Sequence, residues 1–200
     1  MRSRKLHRVA PGSIRIDLPD ATQLTDYSCG ASALQAICRF YGVGPAEEWQ
    51  FVERLEMDRR IGSHPFQIIK LARGLGLKTR EYDGMTLDDV KRELDARHPV
   101  MLMIQAWGQE KVRGGPRPRR DYSKDWEDGH WVVAIGYDRH GFLFEDPSLE
   151  LIRGFIAYDD FVTRWRDTGP FGRHMPNYGL AIWHPRRTKS AYESTAAPIL

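Results

Sequence analysis

The spacing of apolar residues changes character about halfway along the chain. In the first half, apolar side chains recur at the i, i+3, i+4 and i+7 positions of an amphipathic helix, most clearly over Cys29–Tyr41, where Gly42 follows as a helix stop. In the second half they form short runs such as Val100–Gln105 and Trp131–Tyr137, which are typical of buried strands. The pattern therefore predicts helices first and a sheet afterwards.

The same two periods predict the remaining elements. The predicted helices are Cys29–Tyr41, Pro45–Met57 with Trp49, Val52 and Leu55 buried, Pro65–Leu75 with Ser63 as its cap, Leu87–Ala96 capped by Thr86, and Tyr158–Trp165. The predicted strands are Ser13–Leu18, Leu77–Tyr82, Val100–Gln105, Trp131–Tyr137, Phe142–Glu145, Ile152–Ile156 and Tyr178–Trp183. This order indicates an α+β fold rather than an alternating α/β fold.

Length and composition indicate one ordinary globular domain. The chain has 200 residues, of which 41% are hydrophobic and 11% aromatic, enough to build a core. The net charge of +3 comes from dispersed basic and acidic residues, which does not indicate a nucleic-acid partner. We expect a flexible N-terminus (1–12), one domain (13–184) with a basic insertion (108–127), and a flexible tail (185–200).

The two cysteines predict a reducing compartment rather than a disulfide. Cys29 and Cys38 fall on one predicted helix, separated by about 13 Å of helical rise and half a turn, so they cannot bridge. Reduced thiols are typical of cytoplasmic proteins. No apolar stretch matches a signal peptide or a membrane span. We therefore predict a cytoplasmic protein, and the sequence gives no indication of its oligomeric state.

Cys29 is the residue with the strongest chemical signal. It lies where the turn-rich segment Pro19–Ser28 passes into the first predicted helix, and the helix dipole and free N–H groups there stabilise a thiolate, the species that attacks carbonyls. The small neighbour Gly30 leaves room for a substrate backbone to approach. A buried structural cysteine is the alternative interpretation, and Cys38, in the middle of the helix, fits that alternative better.

Three further residues complete a hypothesis of cysteine-dependent acyl transfer. His130 opens a β-branched run, which makes it the best-placed histidine for a general base. Asp146 ends the partner strand of a predicted hairpin, so it can lie beside His130 and accept from its imidazole N–H. Gln23, six residues before Cys29, can donate its amide N–H to an oxyanion together with the backbone N–H of Cys29.

Alternatives remain open for the residues around this set. Asp128 and Glu127 are rival carboxylates, but they adjoin His130 in the sequence and point less well at its far nitrogen. The Asp146 segment also fits a simple turn. Zinc-ligand spacing is missing, so neither a metal nor another cofactor is predicted.

The residues before His130 offer a candidate substrate groove. Trp107, Trp126 and Trp131 flank the basic segment 108–127, and together with Gly129 they either line a groove or cap the core. The basic segment itself is either a solvated insertion or a region that steers an acidic substrate.

Four motifs occur in a characteristic order. They are Gln23…Asp26-Tyr27-Ser28-Cys29-Gly30, Pro99-Val100…Ile104-Gln105, Gly129-His130-Trp131-Val132-Val133…Gly136-Tyr137 and Asp146-Pro147-Ser148. In this order and spacing they resemble the bacteriocin-processing cysteine peptidases, papain-like domains that cleave leader peptides after a double glycine, and their stand-alone relatives. The likeness extends from about Ser13 to Trp183 and includes Phe161…Trp165. One departure is Gly62-Ser63-His64-Pro65, where many relatives have Gly-Thr-Ser-Pro.

The resemblance implies a fold and a function. The fold would be papain-like α+β, with N-terminal helices packed on an antiparallel sheet. Cys29 would be the nucleophile, His130 the general base and acid, Asp146 its orienting carboxylate and Gln23 the oxyanion donor. The reaction would be hydrolysis of a peptide or amide through a thioester. Two alternatives are transfer of the acyl group to an amine or alcohol by the same residues, and a non-catalytic peptide-binding module.

Overall fold

The computed structural model describes residues 13–60, 62–106, 122–150 and 153–186. Within these ranges the elements in chain order are β1 (Ile14–Arg15), α1 (Cys29–Tyr41), α2 (Glu48–Arg54), α3 (Pro65–Gly74), β2 (Lys78–Tyr82), α4 (Leu87–Asp95), β3 (Val100–Gln105), β4 (Gly129–Tyr137), β5 (Gly141–Glu145), β6 (Gly154–Ala157), α5 (Tyr158–Arg164), β7 (Arg166–Thr168), β8 (His174–Pro176) and β9 (Gly179–Trp183). Most helices precede most strands, which confirms the predicted α+β class.

An antiparallel sheet forms the second half of the fold. Its strand order is β2-β9-β3-β4-β5-β6, and β1 adds to β4. The long strand β4 pairs with β3, where Gly129 lies opposite Gln105 and His130 opposite Ile104. On its other side β4 pairs with β5, with an irregularity between Ala134 and Gly136. Helix α1 packs against β4 and against α2 and α3, so the helices cover this part of the sheet.

Helix α1 has the bounds that its apolar pattern predicts. All its residues except Arg39 are buried, as expected for a helix with a sheet on one side and other helices around it. Gly42 ends it in the left-handed conformation, with φ of 65°, which glycine adopts without a steric penalty. At the other end, the Ser28 side chain makes no capping hydrogen bond to the N–H groups of the first turn.

Helix α2 differs from the prediction in length and in the face that it buries. It is shorter than Pro45–Met57, and Trp49 is 58% exposed rather than buried. Leu55 is buried as predicted, and it forms the buried face together with Glu48 and Phe51, at spacings of three and four residues. Trp49 is about 100° around the helix from Glu48, which turns its side chain to solvent.

Several smaller predictions need correction. Helix α3 is capped at His64, whose backbone N–H donates to Gln67 Oε1 at 2.7 Å, and Ser63 lies before the cap. Strand β1 is only two residues long. Strand β4 begins at Gly129, earlier than predicted, so His130 lies within the strand and is 1% exposed. The β7–β8 pair carries no apolar pattern and was not predicted.

Some predictions lie outside the described residues. They are the flexible N-terminus 1–12, most of the tail 185–200, residues 108–121 of the basic insertion, Trp107, and Ile152 at the start of a predicted strand. Within the ranges that the structure covers, no helix combines the length and the apolar character needed to cross a bilayer.

Candidate active site

Cys29 is the first residue of α1 and is 9% exposed. The loop before it is held by two hydrogen bonds between Thr25 and Ser28: the N–H of Thr25 donates to Ser28 Oγ at 3.1 Å, and that hydroxyl donates to the carbonyl of Thr25 at 3.2 Å. The Ser28 side chain makes no capping hydrogen bond to α1, and the N–H groups at a helix start are the groups that can stabilise an anion.

The structure brings His130 and Asp146 together, as the predicted hairpin allows. His130 Nε2 lies 2.7 Å from Asp146 Oδ1, and the imidazole side chain is fully buried. The side chain of Cys29 interacts with the same imidazole, since it acts to raise the pKa of His130. Since Asp146 occupies Nε2, the other ring nitrogen, Nδ1, is the atom available to the thiol. The three predicted residues thus form one connected set.

Ser148 fixes the carboxylate of Asp146, a role that the sequence interpretation missed. Its backbone N–H and its hydroxyl donate to Asp146 Oδ1 at 2.9 and 2.8 Å. The local signal for this contact is the Asp-Pro-Ser sequence, because an aspartate often accepts from the residue two positions later in a turn.

The electrostatics of the set favour a charged imidazole. Burial alone lowers the pKa of His130, but hydrogen bonds from Asp146 and Cys29, together with the charges of both, outweigh it and raise that pKa to about 9. Burial acts to raise the pKa of Asp146, but the hydrogen bonds and charge of His130 and the two hydrogen bonds from Ser148 bring it below its usual value. An imidazolium beside an ionised carboxylate is therefore the favoured state at neutral pH.

Gln23 lies against the turn that carries Asp146. Its backbone N–H donates to the carbonyl of Pro147 at 2.9 Å, and its side-chain Nε2 donates to the carbonyl of Thr25 at 2.7 Å. A side-chain amide carries two N–H donors, so one hydrogen on Nε2 remains beyond the bond to Thr25. Among the described residues, Gln23 Oε1 is buried and has no hydrogen-bond partner.

Gly30 and Trp131 pack tightly against each other beside Cys29. A Cβ atom on Gly30 would lie 1.9 Å from Ser63 Oγ and 3.0 Å from Trp131 Cδ1, so the small residue accommodates neighbours from this same chain. The indole of Trp131 is 4% exposed and donates to the carbonyl of Ser63 at 3.2 Å. Of the two interpretations of this tryptophan, the structure shows the buried one.

Gly129 has a carboxylate where its side chain would be. The Cβ position of Gly129 is 2.2 Å from Asp167 Oδ1 and 2.3 Å from its Oδ2. Gln105 Nε2 donates to Asp167 Oδ1 at 3.3 Å and to the carbonyl of Arg166 at 3.1 Å. Neither Gln105 nor Asp167 was a predicted site residue, because their proximity depends on the unpredicted strand β7.

The remaining candidates lie at the edge of this region. Trp126 is half-buried and stacks on His174 with ring centroids 3.9 Å apart. The backbone N–H of Asp128 donates to Gln105 Oε1 at 2.9 Å, and the described partner of the His130 ring is Asp146 rather than Asp128 or Glu127. In the part of the chain that the structure describes, no three His, Cys, Asp or Glu side chains are grouped to hold a metal ion.

A helix that starts at a cysteine and packs on an antiparallel sheet that carries a histidine agrees with the predicted papain-like α+β fold. The chain belongs to the Peptidase_C39 like family, whose sequence profile matches residues 15–171. The predicted likeness to the bacteriocin-processing peptidases is thereby confirmed at the level of family and fold. A search of curated proteins finds no match.

Solved structures support the same fold. The peptidase domain of ComA from Streptococcus, described as a bifunctional ABC transporter of a quorum-sensing pathway, is 18% identical, with a TM-score of 0.57 over 82% of this chain and 96% of that one. A protein described as a C39-like peptidase from Bacillus anthracis is 15% identical, with a TM-score of 0.61 over 88% and 99%. A double-glycine motif protease from an AMS/PCAT transporter, solved with its leader peptide, is 17% identical, with a TM-score of 0.55 over 85% and 94%.

Proposed function

We propose that this protein is a cysteine peptidase or amidohydrolase in which Cys29 is the nucleophile, His130 the general acid and base, and Asp146 the carboxylate that orients the imidazole. The observation that carries the proposal is that the His130 imidazole lies 2.7 Å from Asp146 Oδ1 through its Nε2 and also interacts with the side chain of Cys29. A nucleophile bonded to a base that a third group orients is the arrangement that covalent acyl transfer requires.

The acylation step begins from a thiolate on Cys29 and an imidazolium on His130. The Cys29 thiolate attacks the carbonyl carbon, and the charge that develops on the carbonyl oxygen is met by the backbone N–H of Cys29 and the remaining N–H of Gln23. The carbon–nitrogen bond then breaks as the His130 imidazolium gives its proton to the leaving amine. The products of this step are a free amine, a neutral imidazole and a thioester on Cys29.

Deacylation reverses the role of the imidazole. Neutral His130 takes a proton from water as the water oxygen attacks the thioester carbon. The carbon–sulfur bond breaks, the acid product leaves, and the thiolate of Cys29 and the imidazolium of His130 are restored. Asp146 keeps the ring oriented throughout, because Ser148 holds its carboxylate in place.

A peptide is the substrate class that the family supports. A relative of the same fold was solved with a leader peptide bound, which supports an extended peptide as the ligand of this site as well. Cys29 and Cys38 are both free thiols, and on that ground we propose a reducing compartment such as the cytoplasm.

Selective alkylation tests the proposed nucleophile. Burial raises the pKa of the Cys38 thiol to about 12, and its side chain is fully buried, so Cys38 provides an internal reference for an inert cysteine. We expect iodoacetamide at pH 7 to modify Cys29 at least about 100-fold faster than Cys38, measured by mass spectrometry of peptides, because only the thiolate reacts. Equal and slow modification of both cysteines contradicts the proposal.

Trapping the acyl-enzyme distinguishes the reaction types. Incubation with a cell extract and rapid acid quenching should leave an acyl adduct on Cys29, and the Cys29→Ala variant should show none. Release of the adduct as a free acid indicates a hydrolase, and release as an amide or ester on addition of an amine or alcohol indicates an acyltransferase. If the Cys29→Ala variant keeps the full cellular effect, the protein is a peptide-binding module instead.

A further inference from the structure

Asp167 reaches into the space beside the residue that precedes His130. Its carboxylate carbon lies 2.5 Å from the position that a Cβ of Gly129 would occupy, and both carboxylate oxygens are closer still. This contact is possible only because residue 129 has no side chain. The carboxylate of β7 therefore packs directly on the backbone of β4, one residue away from the proposed catalytic imidazole.

Gln105 connects the same carboxylate to the backbone on the other side of Gly129. Its Nε2 donates to Asp167 Oδ1 at 3.3 Å, and its Oε1 accepts from the backbone N–H of Asp128 at 2.9 Å. Gln105 is fully buried and uses both ends of its amide in these bonds. The backbone N–H of Thr168 donates to Asp167 Oδ1 at 2.7 Å, which fixes the carboxylate itself.

We propose that Asp167, together with Gln105, is a positioning residue that holds the Asp128–Gly129 backbone and thereby sets the place of the His130 imidazole relative to Cys29. This inference rests on the proposed function, since it assigns Asp167 an effect through His130 and not a contact with substrate. The two side chains contact the backbone immediately before His130. A small displacement of that backbone changes the distance from the imidazole to the thiol. A misplacement of about 1 Å at a reacting group can cost about 100-fold in rate.

The charge of Asp167 provides a second effect on the same imidazole. Burial raises the pKa of Asp167 to about 7; the charge of Asp125 acts in the same direction, while the hydrogen bonds from Thr168 and Gln105 and the charge of His130 lower it. The groups that face the carboxylate are thus His130 on β4, Asp125 in the segment before β4, and the uncharged Gln105 on β3. As the carboxyl ionises above neutral pH, it adds negative charge near the imidazolium.

Two substitutions separate position from charge. Asp167→Asn keeps an oxygen that can accept from Gln105 and Thr168 but cannot ionise, whereas Asp167→Ala removes the contact with Gly129 altogether. The matched control is Asp138→Asn, because Asp138 is a buried carboxylate at the far turn of the same β4–β5 hairpin, where it accepts from the N–H groups of His140 and Gly141.

The measurements are the alkylation rate of Cys29 and the NMR titration of the His130 ring. In the wild type we expect the His130 signal to show a small step near pH 7, from ionisation of Asp167, below its main transition at about pH 9. Asp167→Asn should abolish that step and keep the alkylation rate at pH 6 within about threefold, whereas Asp167→Ala should slow alkylation by about tenfold or more. Asp138→Asn should change neither.

The outcomes are distinguishable from those of the proposed function. A step that persists in Asp167→Asn, or wild-type alkylation in a folded Asp167→Ala protein, overturns this inference. If Asp167→Ala does not fold, Gln105→Ala, which removes the bonds to Asp167 and to the backbone N–H of Asp128, is measured in its place, and an alkylation rate within about threefold of the wild type then overturns the inference. Slow alkylation of Cys29 in the wild type contradicts the proposed nucleophile instead, and the titration step near pH 7 can still be read in that case.

Discussion

The backbone N–H of Gln23 donates to the carbonyl of Pro147 at 2.9 Å, which joins the loop before Cys29 to the turn that follows Asp146. This bond links the proposed oxyanion donor to the residue that follows Asp146, the carboxylate proposed to orient the imidazole, although the two segments are far apart in the sequence. The geometry of the loop before Cys29 and that of the His130–Asp146 pair are therefore set together.

The first prediction concerns the side chain of Gln23. Replacement by alanine should lower the rate of Cys29 acylation by p-nitrophenyl acetate by about 100-fold, since loss of one oxyanion donor typically costs 10²–10³. Alkylation by iodoacetamide forms no oxyanion, so its rate should stay within about twofold of the wild type. Equal loss of both reactions would indicate that Gln23 acts by holding the loop rather than by donating to an oxyanion.

A second prediction concerns the protonation of His130. An NMR titration should find its pKa near 9 in the wild type, because hydrogen bonds and charges from Asp146 and Cys29 outweigh the effect of burial. Asp146→Asn and Cys29→Ala should each lower that pKa, since each removes one of the two partners. The NMR signal of His140, at the far turn of the hairpin, serves as the control. At each pH it should be the same in both variants as in the wild type. An unchanged midpoint in both variants would contradict the proposed set.

The same pKa shift predicts how stability depends on pH. The folded-state pKa of His130 lies above the unfolded value of 6.5, so its interaction with Asp146 contributes fully below about pH 6.5 and is lost as the pH rises through about 9. The difference in Tm between the wild type and Asp146→Asn should therefore be largest near pH 6 and become smaller by pH 9.5. A difference that grows with pH would show that the folded-state pKa is not raised.

Local signals predict the parts of the fold that carry Cys29 and the hairpin. The bounds of α1 follow from its apolar period and from Gly42, and the proximity of His130 to Asp146 follows from the pairing of β4 with β5. Both depend on residues that are near in sequence or joined by a short turn. Such contacts are specified by periodicity and turn chemistry alone.

The remaining site contacts depend on packing between distant segments. Asp167 lies on a three-residue strand, Arg-Asp-Thr, that has no apolar signal, so nothing local places its carboxylate on Gly129. The exposure of Trp49 also depends on tertiary structure. Its hydrophobicity suggested that it is buried, but α2 packs against α1 and it is Phe51 that is buried. Long-range contacts of this kind are specified by shape and not by pattern.

A fourth prediction concerns the small residue that follows Cys29, the proposed nucleophile. A Cβ on Gly30 would meet Ser63 Oγ and the ring of Trp131, which is held by its bond to the Ser63 carbonyl. Gly30→Ala should therefore lower the free energy of unfolding by about 1–3 kcal/mol and slow the alkylation of Cys29, because the start of α1 must shift. Urea denaturation and the alkylation rate measure the two effects.

Gly74 provides the matched control for that substitution. It is also helical, at the end of α3, and nothing lies within 4 Å of the position of its Cβ. Gly74→Ala should leave the alkylation rate unchanged and raise stability by up to about 1 kcal/mol, since alanine loses less backbone entropy in a helix. Similar losses in both variants would mean that the contact with Ser63 and Trp131 is not what requires glycine at residue 30.

The last prediction concerns a buried ion pair beside the site. Glu145, which precedes Asp146, is 1% exposed; its Oε1 accepts from the N–H of Ala21 at 2.9 Å, and its other oxygen pairs with Arg153. Arg153 also donates to the carbonyl of Leu18. The pair thus holds the segment that leads to Gln23 against the end of β5.

Arg153→Met should lower the free energy of unfolding by about 3 kcal/mol, because it leaves the buried Glu145 charge without its cation. Arg92→Met removes the partner of Asp89 in an exposed pair, in which the arginine side chain is 67% exposed, and should cost at most about 1 kcal/mol. Urea denaturation measures both. Adding Glu145→Gln to Arg153→Met should recover part of the lost stability, since it removes the charge that Arg153→Met leaves unpaired. Failure to recover any stability would show that the arginine acts through its bond to Leu18 instead.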